Sequence, residues 1–182
     1  LKAIEKGEEP NGDTGNDIIA AYNYLRQKCQ PYEPQYIQAA PVEIDERADK
    51  VEEVMRTWDN WKEQNGYLQH DDYVHEAADA KTTPSEHVEY VFIDEFQDLS
   101  PLQYKLYKIW RDRGTARRFY IAGDADQSIY GFRAATPKYF EETAVDKVET
   151  QKKSRRCPSE VVDVANSVLG DGDMEPDREG GT

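Results

Sequence analysis

Two adjacent carboxylates, Asp94 and Glu95, close a short apolar run, Tyr90-Val91-Phe92-Ile93. Oxygen donors of this kind ligate hard divalent cations, and a second carboxylate alongside can position or deprotonate a water. A buried parallel strand reads this way where it emerges at the carboxyl edge of a sheet. Ligands of open α/β sheets bind outside those ends. Further on the pattern recurs. Arg118-Phe119-Tyr120-Ile121-Ala122 is a second apolar run, and it ends in Gly123-Asp124-Ala125-Asp126-Gln127. Between the two runs, Ser100 to Asp112 predicts a helix with Leu102, Leu106, Ile109 and Trp110 on one face. Strand, helix and strand at this spacing predict one βαβ unit, with both acidic ends on the same rim.

Asp94-Glu95-Phe96-Gln97-Asp98 resembles the second helicase motif of the UvrD/Rep group of superfamily 1 DNA helicases. The stretch from Gly123 to Ala135 resembles the third motif nearly throughout, and Ser154-Arg155-Arg156-Cys157-Pro158 resembles the fourth, with Arg155 where the family has an aromatic residue. Two long motifs in order are a far more specific signal than an isolated acidic pair. The likeness runs from about Tyr67 to Leu169. It implies an α/β fold, part of a RecA-like P-loop NTPase motor domain with a parallel sheet, preceded by a helical insertion subdomain. It implies ATP and Mg²⁺ as cofactors. The implied partners are single-stranded or duplex DNA and the remaining helicase domains of a longer chain, with 3′ to 5′ movement in repair or replication.

The resemblance also assigns roles to residues. Asp94 becomes the carboxylate on the Mg²⁺ side, and Glu95 the residue that positions or deprotonates the attacking water. Gln127 can donate and accept, which suits a neutral sensor between the γ-phosphate and DNA. Arg156 reaches the γ-phosphate as an arginine finger does. Tyr130 and Phe132 present aromatic faces to unpaired bases, and Arg133 ties their loop back to the acidic rim. The family usually has tryptophan at the position of Phe132, so a smaller stacking platform is expected here. Asp98 and Asp124 are expected to order the surrounding loops.

The resemblance implies a partial helical insertion over 1–66 and the later half of the first motor domain over 67–169, and the Gly, Asp, Glu and Pro content predicts a disordered tail over 170–182. Within the first, Asn16 or Asp17 is expected to cap a helix running to about Cys29, with Ile18, Tyr22, Leu25 and Cys29 buried. A longer helix is expected over Asp45 to Gln64, with Val51, Val54, Met55, Trp58 and Trp61 on its apolar side. Tryptophans could stack on bases, but at helical spacing among aliphatic partners they read as core. Asp71 and Asp72 suit the first turn of a helix to about Ala80. Another helix after Pro158 is expected to turn Val161, Val164, Ala165 and Val168 inward. Gly7 to Thr14 has the spacing of a phosphate-binding loop, but Asp13 occupies the lysine position and no strand precedes it, so a solvated loop is expected. His70, His75 and His87 have no metal-site spacing and read as surface residues.

The 182 residues carry 37 acids against 23 bases, a formal charge of −14. This is the wrong sign for a typical DNA-binding surface, where phosphates are neutralised. Either the bases gather in one groove, or the protein works in concentrated salt that screens its self-repulsion, as hyperacidic halophilic proteins do. Two cysteines, Cys29 and Cys157, point to a reducing compartment and a cytoplasmic location. No run reaches the length of a membrane span. Two rival readings stay open. One is a carboxylate metallonuclease using Asp94, Glu95, Asp124 and Asp126. The other is a noncatalytic interaction module derived from a helicase.

Overall fold

The computed structural model describes residues 12–129, 131, 134–170 and 174–177. Its contacts fall into two compact units, Leu1–Thr143 and Ala144–Thr182.

The first unit begins with helices. α1 spans Gly12–Gln27, α2 Pro34–Gln38, α3 Ala48–Asn65 and α4 His70–Asp79. Ala21, Tyr22, Leu25, Ile37, Ala40, Val51 and Met55 form one buried cluster among α1, α2 and α3. α1 starts earlier than the expected cap at Asn16 or Asp17, so Gly12 and Thr14 of the loop-like stretch lie in its first turn. The rest of that stretch, Gly7 to Asn11, lies outside the described residues. Cys29 is exposed, not buried, because the chain leaves the helix before it, with Cys29 itself at φ 53°. Gly66 closes α3 at φ 63°, a left-handed turn that glycine enters without a Cβ clash.

α3 turns a different face inward from the one its apolar residues predict. Val51, Met55 and Lys62 are buried, whereas Val54 is exposed and Trp58 and Trp61 are 37% and 44% exposed. The two indoles stack on each other at 5.1 Å, with Tyr67 tilted against both. The reason lies beneath them, where Lys62 enters an ionic cluster joining three helices. Its Nζ lies 2.9 Å from both Asp72 oxygens, 2.7 Å from the Tyr22 hydroxyl and 3.3 Å from Asp59. Arg26 of α1 also pairs with Asp72, and donates to the Tyr32 hydroxyl at 3.3 Å. Asp72 further accepts from the Gln69 amide at 2.7 Å, which caps α4. Burial works to raise the Asp72 pKa, but the Gln69 amide, Lys62 and Arg26 outweigh it and hold the carboxyl below its ordinary range. Burial and a hydrogen bond to Asp59 push Tyr22 far up, and burial pushes Tyr32 up to about 12. His75 is a surface residue only in part: its Nε2 lies 3.1 Å from the Arg26 carbonyl, and burial, aided by Arg26, lowers its pKa.

Strand β1, Tyr90–Ile93, and strand β2, Arg118–Ile121, pair in parallel from Tyr90↔Arg118 to Ile93↔Ile121. They are joined by α5, Pro101–Arg113. Ser100 caps that helix: its hydroxyl accepts from the Gln103 amide at 3.3 Å, and the Gln103 side chain returns a bond to the Ser100 amide at 2.9 Å. Leu102 and Tyr107 are the buried residues of α5, whereas Leu106, Ile109 and Trp110 of the expected face are half-buried. The βαβ unit expected from the spacing is therefore present, in a mixed helix-and-strand fold. Val91 is buried under one side of the pair; Tyr90, Phe92 and Tyr120 are exposed on the other, with Phe92 and Tyr120 stacked at 4.8 Å. A short helix α6, Lys138–Glu142, completes this unit.

The second unit holds strand β3, Lys153–Ser154, helix α7, Ser159–Leu169, and strand β4, Glu175–Pro176, with β3 and β4 parallel. Val162 is the buried residue of α7, while Val161, Val164 and Val168 are exposed, the reverse of the expected face. Within the segment expected to be a disordered tail, Glu175–Pro176 is strand, and Asn166 exchanges two side-chain bonds with the Met174 backbone. Residues 171–173 and 178–182 lie outside the described residues.

Candidate active site

The parallel ladder continues past the ends of both strands. Ala122 N donates to the Ile93 carbonyl, and Phe96 N donates to the Ala122 carbonyl, each at 2.9 Å. These two bonds bring the segment after β1 against the segment after β2. Asp94 and Glu95 thus share one rim with the Gly123–Gln127 loop, as the sequence predicts.

Phe96 anchors the turn. It is fully buried, edge-on to Tyr107 at 5.0 Å and close to Tyr104 and Phe140. Its insertion forces the preceding residue around, and Glu95 takes φ 50°, ψ 42°. A non-glycine residue in that left-handed region carries strain, and such residues gather at functional sites. The two carboxylates take different partners. Asp94 Oδ1 accepts the Glu95 amide at 3.0 Å, and both residues remain exposed.

Gln97, which the sequence reading did not single out, is the hub of the site. It is 1% exposed. Its Nε2 donates to Glu95 Oε2 at 2.8 Å and to Asp98 Oδ2 at 3.2 Å, and its Oε1 accepts from the Asp124 amide at 3.0 Å. A glutamine two residues after a carboxylate, in a segment tightened to a single 3₁₀ turn over Phe96–Asp98, is the signal that could have marked it. In the facing loop, Asp124 Oδ1 accepts from the Asp126 amide at 3.1 Å, and Oδ2 accepts from Gln127 Nε2 at 2.6 Å. Asp124 orders its loop, and Gln127 is exposed and bonded to it.

Tyr130, Phe132 and Arg133 lie outside the described residues. Arg156 belongs to the second unit, between β3 and α7. A cleft of about 990 Å³ borders Glu95 and Asp98, walled on its other sides by Tyr24, Gln27, Leu68 and His70. No lysine or arginine is among the described residues lining it, so those residues alone do not cradle a triphosphate. Nor do three His, Cys, Asp or Glu side chains converge anywhere among the described residues. Asp94 is exposed at the end of β1, a carboxylate of the type that ligates hard cations.

Residues 8–147, well over half of the chain, match the UvrD/REP helicase N-terminal domain. The chain belongs to that family. Among similar proteins, the ATP-dependent DNA helicase Rep of Escherichia coli is 33% identical over 86 residues, 45% of this chain and 12% of Rep. The ATP-dependent DNA helicase srs2 of Schizosaccharomyces pombe is 32% identical over 95 residues, 50% of this chain and 10% of that protein. A probable DNA helicase of Mycoplasma pneumoniae is 37% identical over 90 residues, 47% of this chain and 16% of that protein. The matched stretch therefore spans only a small part of each relative's length.

Proposed function

We propose that this chain forms part of a RecA-like motor domain in an ATP-dependent DNA helicase, and that its rim carries the residues handling the attacking water. The observation that carries this reading is the extended ladder from Ile93 to Ala122 and on to Phe96, which seats Asp94, Glu95 and the Gly123–Gln127 loop together. In this reading Asp94 would hold Mg²⁺, which would supply positive charge to offset the phosphates of ATP. Glu95, whose Oε2 accepts from Gln97, orients the water. Gln127 answers to the phosphate end of the same rim, and Arg156 is the arginine that the family resemblance assigns to the γ-phosphate. Tyr130 and Phe132 meet unpaired bases, and Arg133 belongs to the same DNA-binding loop. The helices ahead of residue 67 serve as an insertion subdomain.

The carboxylate-nuclease alternative gains nothing from the geometry. It needs several carboxylates converging on one cation, and no such group is found among the described residues. The test is Glu95→Gln in the full-length protein that carries this chain. An amide of nearly the same size should keep ATP binding and lower DNA-stimulated turnover about 10²–10⁴-fold. Turnover near the wild-type rate would remove Glu95 from the role. Metal-dependent DNA cleavage without nucleotide would favour the nuclease, and a wild type without ATPase the noncatalytic module.

A further inference from the structure

We propose that Gln97 is the positioning residue of this site, holding Glu95 and linking it to the Gly123–Gln127 loop. The proposal rests on the helicase reading above. An unbroken hydrogen-bonded path runs from Gln127 Nε2 to Asp124 Oδ2, from the Asp124 amide to Gln97 Oε1, and from Gln97 Nε2 to Glu95 Oε2, with links of 2.6, 3.0 and 2.8 Å. The orientation of the Gln97 amide is set by its neighbours. Both Nε2 partners are carboxylates and the Oε1 partner is an N–H, so a flipped amide would oppose like to like at all three contacts.

The side-chain chemistry is demanding. Glutamate at 97 would place a third carboxylate beside Glu95 and Asp98, asparagine is a methylene short, and methionine has no comparable donor or acceptor. The loop is shaped to receive this one group. A Cβ on Gly123 would overlap Gln97 Oε1 and come within 3.3 Å of both the Gln97 amide nitrogen and Phe140 Cε2. Gly123 has no positive φ to require a glycine, so the close approach of Gln97 is what its missing side chain serves. Movement of Gln127 and Asp124 therefore reaches Glu95 through one buried amide. That amide touches neither water nor nucleotide in this role; it acts by fixing where the Glu95 carboxylate stands.

The experiment compares Gln97→Met, Gly123→Ala and the double variant in the full-length protein, with ATPase measured with and without single-stranded DNA. Each single variant should lower the DNA-stimulated kcat by on the order of 10- to 100-fold, since small misplacements of a reacting group are that costly. The KM for ATP should stay within about twofold, because ground-state binding is untouched. Because both changes break the same contact, the double variant should fall no further than the worse single one. Should Gln97→Met fail to fold, Gly123→Ala, which adds one methyl group at an exposed position, carries the test alone. Variants with wild-type stimulated kcat, losses that multiply in the double, or a KM rising in step with a constant kcat would each overturn the proposal. A folded wild type without DNA-stimulated turnover would overturn the helicase reading and the proposal with it. An active wild type with silent variants would overturn the proposal alone.

Discussion

Replacing Asp72 with asparagine removes one negative charge from a cluster that is balanced as it stands, with Arg26 and Lys62 against Asp59 and Asp72. Asp72 is the more deeply buried of the two acids and receives Lys62, Arg26 and the Gln69 amide at once. Breaking a buried ion pair by removing one partner costs about 3–5 kcal/mol, because the other charge stays behind uncompensated. Here Asp59 remains 3.3 Å from Lys62 and is a third exposed, so water and a second acid soften the loss. The expected cost is therefore at the lower end, about 3 kcal/mol, or roughly 150-fold in the folding equilibrium. In a chain of this size that lowers Tm by about 10 °C. Urea unfolding of the chain at neutral pH measures it, with an unchanged m-value confirming that the same unfolding is followed. Adding Lys62→Met should give strong non-additivity, at least about 1 kcal/mol, since both changes strike one network. The sign with pH is also fixed. Because the folded-state pKa of Asp72 is depressed, its contribution is present above the unfolded value and is lost as pH falls through the folded one. The gap between wild type and variant should therefore close in acid. A cost under about 1 kcal/mol at neutral pH, or simple additivity with Lys62→Met, would refute the view that this cluster binds the helices together.

Trp58→Ala and Trp61→Ala should each cost less than about 1.5 kcal/mol, the scale of an aromatic pair, rather than the 3–5 kcal/mol of a buried indole. Urea midpoints, together with ready acrylamide quenching of the tryptophan fluorescence, check this; a core-sized loss would place the rings inside. Burial and Arg26 lower the His75 pKa, so folding favours the neutral ring. Its contribution should be complete above the ordinary histidine range and decline as pH falls through that range toward the folded value. Urea midpoints between pH 8 and 5 should fall less steeply in His75→Gln, and an unaltered slope would exclude His75 as the source.

The rim was legible in the sequence because both signals are local: each strand is a short apolar run, and each stops at acids that cannot continue it. The cap at Ser100 and the parallel register follow from the same few residues. The faces of α3 and α7 were not legible. A binary count puts Trp58 and Trp61 inside, yet the position beneath them depends on Asp72 of the next helix and on Arg26, far earlier in the chain. Lys62 on the stripe of Val51 and Met55 was the available hint, since a lysine at an apolar helix position calls for a buried partner. In α7 the valines at 161, 162, 164 and 168 fit more than one helical face, and only packing selects Val162. Gln97 escaped notice for another reason. A neutral amide has no charge to mark it, and its importance comes from three partners, one of them across the rim on the other strand's loop.

The left-handed backbone at Glu95 bears on how this site would age over evolutionary time. Glycine occupies φ 50° freely and asparagine tolerates it, whereas glutamate there costs on the order of 1–3 kcal/mol. Substitution of Glu95 by glycine or asparagine therefore runs downhill toward stability and away from a carboxylate. A lineage that no longer used the residue would be expected to drift to glycine or asparagine and gain a firmer fold in doing so. Glutamate at this position opposes that drift, and it makes the acid a marker of use in any sequence that aligns with this rim.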